Sequence, residues 1–198
     1  RLLILQLVLH QQLVFEGHKH IPAATVANGK YTNNLITAFA SSKTFNLATC
    51  LTSTIVIENE ELRNTWDEFT KIYNQVEVNL FGITAVEAAL EGGEEWYNDI
   101  KKVIYSNYQL LVEGLKEFPK VYISPLEGTY LVFIDLRNHV SLDQIKEFTQ
   151  NHCNLAVDYG EWFGASWKGF IRLNMGTHPN IVKKAIENIK ENLLKITK

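Results

Sequence analysis

Leu35-Ile-Thr-Ala-Phe-Ala-Ser-Ser-Lys-Thr-Phe-Asn46 is the stretch from which the rest of the chain can be read. Its first half, Leu35 to Ala40, is a short apolar run containing the β-branched pair Ile36 and Thr37, and it predicts a strand. Its second half, Ser41-Ser-Lys-Thr-Phe-Asn46, is a hydroxyl-rich turn built around Lys43. The end of a sheet strand is where α/β proteins place ligands. An amine held there can form a Schiff base if desolvation lowers its pKa, and hydroxyls beside it can bind a phosphate. A solvated loop lysine is the ordinary case, and on the hexapeptide alone it is the reading to prefer.

Toward the N-terminus, Arg1-Leu-Leu-Ile-Leu-Gln-Leu-Val-Leu9 is almost continuously apolar. It is too short to span a bilayer, Gln6 interrupts it, and no small-residue cleavage pattern follows. A strand buried on both faces of a parallel sheet is expected over Leu2 to Leu9. The chain begins with Arg rather than Met, so an upstream portion is expected. A polar loop runs from Glu16 to Asn33 with Gly17, Pro22 and Gly29 as breakers, and His10, His18 and His20 lie in or near it.

Toward the C-terminus, Thr52 to Glu58 is β-branched and reads as a third strand. Helices are then expected over Glu60 to Tyr73, capped by Asn59, and over Phe81 to Glu91, stopped by Gly92-Gly93. Trp96, Ile100, Val103, Ile104, Tyr108, Leu111, Val112, Leu115 and Phe118 form the stripe of one long amphipathic helix. Strands follow at Val121–Ser124, Tyr130–Leu136, Leu155–Asp158 and Phe170–Met175, with helices over Ser141–Asn151 and from Pro179 to the end. Helices returning between strands make this an α/β chain. Two domains are expected, 1–118 and 119–198, divided at the end of the long helix.

A hydrophobic fraction of 46%, a charged fraction of 21% and a net charge of −3 describe a folded globular chain. No basic stripe stands out to neutralise phosphates, so no nucleic-acid partner is expected, and no membrane association either. Cys50 and Cys153 are far apart and in no metal-ligand spacing. No metal site and a reducing cytoplasmic setting are therefore expected. A second unusual residue is Arg172, set inside the apolar segment Gly169-Phe-Ile-Arg-Leu-Asn174. A guanidinium within an apolar strand must be paired, either with a ligand carboxylate or with an acidic side chain of the protein.

Ala40-Ser-Ser-Lys-Thr-Phe-Asn-Leu-Ala48 resembles the Schiff-base segment of the fold-type I pyridoxal-phosphate (PLP) enzymes, in the cystathionine β-lyase branch of the class I/II aminotransferases. Phe15-Glu-Gly-His-Lys-His-Ile-Pro22, Asn79-Leu-Phe-Gly82, Glu95-Trp96, Gly128-Thr-Tyr-Leu-Val-Phe-Ile-Asp-Leu-Arg137, Trp162-Phe-Gly164 and Gly169–Asn174 are similar to that branch in the same order. The resemblance covers nearly the whole chain from about His10. It implies the C-terminal half of such an enzyme: part of a large, mainly parallel-sheet domain with helices, then a small α/β domain. It also implies that PLP is the cofactor and that the parent is a homodimer acting on a small amino acid. Lys43 would carry the cofactor on its amine and take the substrate's α-proton. Ser42 would help to hold the cofactor phosphate, Arg172 would grip the α-carboxylate, and His10 would lie close to the cofactor ring, with a hydrogen-bonded loop histidine as its alternative.

Three departures qualify that resemblance. The family has an aspartate three residues before the histidine, where it keeps the pyridine nitrogen protonated; this chain has Leu7. The family usually continues Ala-Gly-Leu after the lysine segment, where this chain has Ala48-Thr49-Cys50, and strain is expected at Thr49. Groups of the family's first half are missing, among them the ring-stacking aromatic residue and the partner-donated tyrosine. Three functions stay in competition: a carbon–sulfur β-lyase on cystathionine or related cysteine-type amino acids, an aminotransferase, and an inactive fragment or pseudo-enzyme.

Overall fold

The computed structural model describes residues 2–74 and 78–196. The chain divides into two compact units, residues 1–98 and 99–198.

In the first unit, β1 (Ile4–Val8) pairs in parallel with β2 (Leu35–Phe39), and β2 pairs antiparallel with β3 (Thr54–Val56). The sheet order is β1-β2-β3, which leaves β1 at an edge. The expectation that Leu2 to Leu9 is covered on both faces is therefore corrected. Val8 is buried, but Leu5 and Leu7 are 60% and 67% exposed: they alternate with the better-covered Ile4, Gln6 and Val8, so the face of β1 that carries them is left uncovered among the described residues. The core of this unit is small and gathers around Leu13, Phe15, Leu35, Ile36 and Ile57.

Two helices follow, each started by an asparagine that satisfies an amide its own helix leaves orphaned. Asn59 Oδ1 accepts from Leu62 N at 2.9 Å ahead of α1 (Glu60–Ile72), as the sequence predicts. Asn79 Oδ1 accepts from Phe81 N at 3.0 Å ahead of α2 (Leu80–Gly92). α3 (Glu94–Leu115) is the expected long helix. Its buried stripe is Ile104, Asn107, Leu111 and Leu115, and the polar member is not wasted: Asn107 Nδ2 donates to Met175 O at 2.9 Å and Thr177 O at 2.8 Å.

The second unit is a four-stranded antiparallel sheet of order β4-β5-β7-β6, formed by Tyr122–Ile123, Leu131–Asp135, Phe170–Asn174 and Asp158–Tyr159. Side chains alternate between faces along a strand. Val132 opposes Leu173 and Ile134 opposes Ile171, and all four are buried on one face. α5 (Pro179–Ile196) contributes Val182, Ile186, Ile189 and Leu193 to this core. The opposite face carries Phe133 facing Arg172, and Arg172 facing Asp158. The helix expected over Ser141–Asn151 is broken into one α-helical turn, α4 (Ile145–Glu147), and a wider π-turn over Phe148–His152. The Thr149 hydroxyl bonds back to Ile145 O at 2.9 Å, and Cys153 N reaches Phe148 O at 2.9 Å, closing the π geometry. No helix among the described residues is long and apolar enough to cross a membrane.

Candidate functional site

In the first unit, parallel pairing brings two of the expected residues to one end of the sheet. Val8 of β1 lies opposite Phe39 of β2, so both strands finish together. His10 is two residues past that register pair and Lys43 is four residues past it. Ser42 and Lys43 are half-buried, whereas Ser41 and Thr44 are buried. The lysine sits in a closed turn: Phe45 N donates to Ser41 O at 3.0 Å and Leu47 N to Ser42 O at 2.8 Å. His10 is half-buried, and its carbonyl accepts from Leu13 N at 3.0 Å.

Several other segments quoted above converge on the Lys43 turn. The Phe45 ring lies 5.7 Å from Trp96 and 6.4 Å from Tyr97, and Gly93 leaves room for it: a Cβ there would stand 2.7 Å from Phe45 Cε1. The Tyr97 hydroxyl donates to the Gln12 carbonyl, in the turn that follows His10. Gly82 performs the same service for the chain after Phe45, since a Cβ there would stand 2.5 Å from Cys50 O and 1.9 Å from Thr52 Oγ1. Close packing in this region therefore falls on Gly82 and Gly93. Thr49 is exposed and is not among the residues with positive φ, so the strain expected at that position is absent.

Thr44 was not singled out by sequence reasoning. Its hydroxyl is buried and has no hydrogen-bond partner among the described residues, although it adjoins Lys43. A buried hydroxyl left unpaired costs on the order of 1–3 kcal/mol. Together with the half-buried amine and the Ser42 hydroxyl, it makes a donor set that suits a phosphorylated aldehyde. Leu7 does not contribute to such a set. It pairs in register with Ala38, and a hydrocarbon cannot hold a proton on a ring nitrogen.

Arg172 lies in the second unit. Its Nε and Nη2 both donate to Asp158 Oδ2, at 3.0 and 2.6 Å, and its Cζ stands 4.5 Å over the Phe163 ring. The guanidinium is thus paired with a protein carboxylate, one of the two outcomes that its apolar setting requires. Tyr130 lies close enough to feel the charge: burial pushes its hydroxyl above the usual tyrosine range, and Arg172 opposes that shift. Asp158 and Phe163 were also missed by sequence reasoning. The available signal was an acid ending one apolar strand and an arginine inside another, which reads as an ion pair once the strands are known to be neighbours. Among the described residues, no group of three or more His, Cys, Asp or Glu side chains could hold a metal ion.

No family model matches the chain. It is 27% identical over 187 residues to cystathionine beta-lyase PatB of Bacillus subtilis, covering 93% of this chain and 48% of PatB. It is 24% identical to protein MalY of Escherichia coli, covering 91% and 46%, and 23% identical to an aspartate aminotransferase of Pyrococcus horikoshii, covering 93% and 46%. Among solved structures, cystalysin of Treponema denticola, which contains a pyridoxal 5'-phosphate cofactor, superposes with a TM-score of 0.89 at 26% identity over 100% of this chain and 50% of its own. The PLP-bound C-S lyase of Staphylococcus hominis gives 0.86 at 27% identity over 98% and 50%. The chain spans about half the length of the curated relatives it matches.

Proposed function

We propose that this chain, which corresponds to the C-terminal half of a fold-type I PLP-dependent enzyme of class I/II, comes from a carbon–sulfur β-lyase acting on cystathionine or related cysteine-type amino acids. The observation that carries the proposal is the Lys43 turn. A half-buried primary amine stands at the end of a parallel strand pair, with a buried hydroxyl beside it that has no partner among the described residues. Similarity to proteins named cystathionine beta-lyase and to a C-S lyase structure supports the choice of reaction.

The roles follow from each side chain's chemistry. When bound, PLP supplies an electron sink that makes the substrate's α-proton acidic and allows a β-thiolate to leave. Lys43 Nζ would be the group that holds the cofactor aldehyde, and its amine would be the base that accepts the proton from Cα. The Ser42 and Thr44 hydroxyls would donate to phosphate oxygens. His10, two residues past β1, would lie close to the ring. The Arg172 guanidinium binds the α-carboxylate and so fixes which bond at Cα is broken. The same reading carries a homodimeric parent and a cytoplasmic setting, in keeping with two cysteines that are both free.

A second reading, transamination, is favoured by the aspartate aminotransferase among the relatives. It uses the same Lys43 and Arg172. Pyruvate formed from cystathionine with no keto acid added separates the two, because a transaminase needs the acceptor. A third, an inactive fragment, is favoured by Leu7.

The first experiment is spectroscopic. Adding PLP to the purified chain is expected to give a visible absorbance band that borohydride fixes onto Lys43 and that Lys43→Ala abolishes. A band that survives in Lys43→Ala, or none in the parent chain, would reject the cofactor assignment for this chain.

A further inference from the structure

We propose that Asp158 is a specificity-determining positioning residue: with Phe163 it holds the Arg172 guanidinium so that one edge of its fork is presented to a planar carboxylate and not to anions in general. The proposal rests on the reading of Arg172 as the carboxylate clamp and goes beyond it by saying what aims the clamp.

Two restraints meet on this guanidinium from different directions. In its plane, Nε and Nη2 both donate to the single oxygen Oδ2 of Asp158, at 3.0 and 2.6 Å. The second restraint is aromatic: Cζ stands over the Phe163 ring, 4.5 Å from its centroid. An arginine side chain otherwise has several rotatable bonds, and a planar group bonded along one edge and packed over an aromatic ring has little rotation left. Asp158 is itself fixed by the sheet, because β6 places it directly opposite Arg172 in the β6–β7 register. The pair is only part-buried, with side chains 23% and 39% exposed, so a small solute can reach it.

What is left over is directional. Among the described residues, Nη1 makes no hydrogen bond, and it shares with Nη2 the edge that Asp158 does not occupy. A carboxylate has two oxygens at the spacing that such an edge matches; a spherical anion has no second atom to offer. The charge is also already neutralised by Asp158. An arriving anion therefore gains little from bulk attraction, and selectivity has to come from the aimed donors. Sequence reasoning weighed the ligand clamp and the structural ion pair as alternatives for Arg172. In this arrangement they are one device.

The test compares two probes of equal charge. In the 198-residue chain, the Arg172 Nε–Hε NMR signal, assigned by its loss in Arg172→Lys, is titrated separately with sodium acetate and sodium chloride. Acetate is expected to bind more tightly than chloride by roughly tenfold. Asp158→Ala is expected to bring the ratio to within about twofold, and Phe163→Ala to an intermediate value. Removing Asp158 changes the Coulombic pull on both monoanions alike and frees the Nε–Nη2 edge, which by itself favours acetate, so a fall in the ratio reports lost orientation. Asp158→Glu is expected to restore most of the preference. Asp158→Val, which suits a strand and removes both acceptor oxygens, carries the measurement if Asp158→Ala does not fold, as judged by the Ile171 and Leu173 amide signals. An unchanged ratio in folded Asp158→Ala or Asp158→Val overturns the positioning claim. An Arg172 signal that ignores acetate in the parent chain overturns the clamp itself, and the proposal with it, independently of any result with PLP.

Discussion

The hydroxyl of Tyr97 donates to the carbonyl of Gln12, while the same ring lies 6.4 Å from Phe45. One side chain at the start of α3 thereby ties the turn that follows His10 to the turn that contains Lys43. Tyr97→Phe keeps the ring and removes the donor. The Gln12 carbonyl then loses that partner, at a cost of about 1 kcal/mol. Amide hydrogen exchange at Leu13 and Leu47 is expected to quicken, with exchange along β7 unchanged. Equal acceleration everywhere would mean that the bond contributes only to global stability.

Gly82 is the tightest point behind the lysine segment. The nearest backbone atom to an added Cβ is Cys50 O at 2.5 Å, and a carbonyl cannot move aside as a flexible side chain can. Gly82→Ala is expected to destabilise the first unit by roughly 1–3 kcal/mol despite alanine's better helix propensity. The urea midpoint measures this. Gly92→Ala is the control, since nothing lies within 4 Å of its Cβ position.

The order of strands and helices, the long α3 stripe and the Asn59 cap were legible in the sequence because each is a local pattern written in neighbouring residues. Arg172 was legible as a guanidinium inside an apolar strand, and Lys43 by its place just after a strand and by the resemblance of its segment. Their surroundings were not. Asp158 meets Arg172 only through the β6–β7 register, and Tyr97 meets Gln12 across 85 positions of chain. Thr44 looked like its hydroxyl neighbours until its burial was known. The exposure of β1 escaped for a related reason: an apolar run states what a strand would bury, not whether a neighbour is there to bury it.

Asp135 gives the second unit an acid-sensitive contact. Burial pushes its carboxyl upward, but hydrogen bonds from the Arg137 side chain and backbone outweigh that and hold it below the usual carboxylate range. A carboxyl whose pKa is lowered on folding contributes stability above its unfolded pKa, about 3.9, and loses it as pH falls through the folded value. Stability is therefore expected to drop below about pH 4. In Asp135→Asn the acid limb of the urea midpoint against pH should be flatter. An unaltered limb would show that another carboxylate governs it.

Cys153 is buried with its thiol pushed up to about 11, chiefly by burial, with Lys195 opposing. The thiolate is the reactive form, so this cysteine is expected to resist iodoacetamide at neutral pH until denaturant is added. The linkage has the opposite sign to that of Asp135. A thiol whose pKa is raised on folding favours the folded state below about 8.5, and that contribution fades as pH climbs toward the folded value. Cys153→Ala should flatten the alkaline limb of the stability profile.

Leu7 offers the sharpest single substitution, because two consequences of Leu7→Asp can be read separately. β1 is an edge strand, and the leucines at alternate positions within and flanking it, Leu3, Leu5, Leu7 and Leu9, are exposed and uncharged. Such an edge invites pairing with another chain, and a charge placed on it opposes that. Sedimentation velocity is expected to show less self-association in Leu7→Asp, and Leu5→Asp should act similarly. The second consequence belongs to position 7 alone. If a pyridine nitrogen sits near the end of β1, a carboxylate there keeps it protonated, and PLP should bind several-fold more tightly to Leu7→Asp than to Leu5→Asp, a difference of about 1 kcal/mol. Equal affinities in the two variants would detach position 7 from the cofactor and leave the exposed leucines as a matter of sheet edges only.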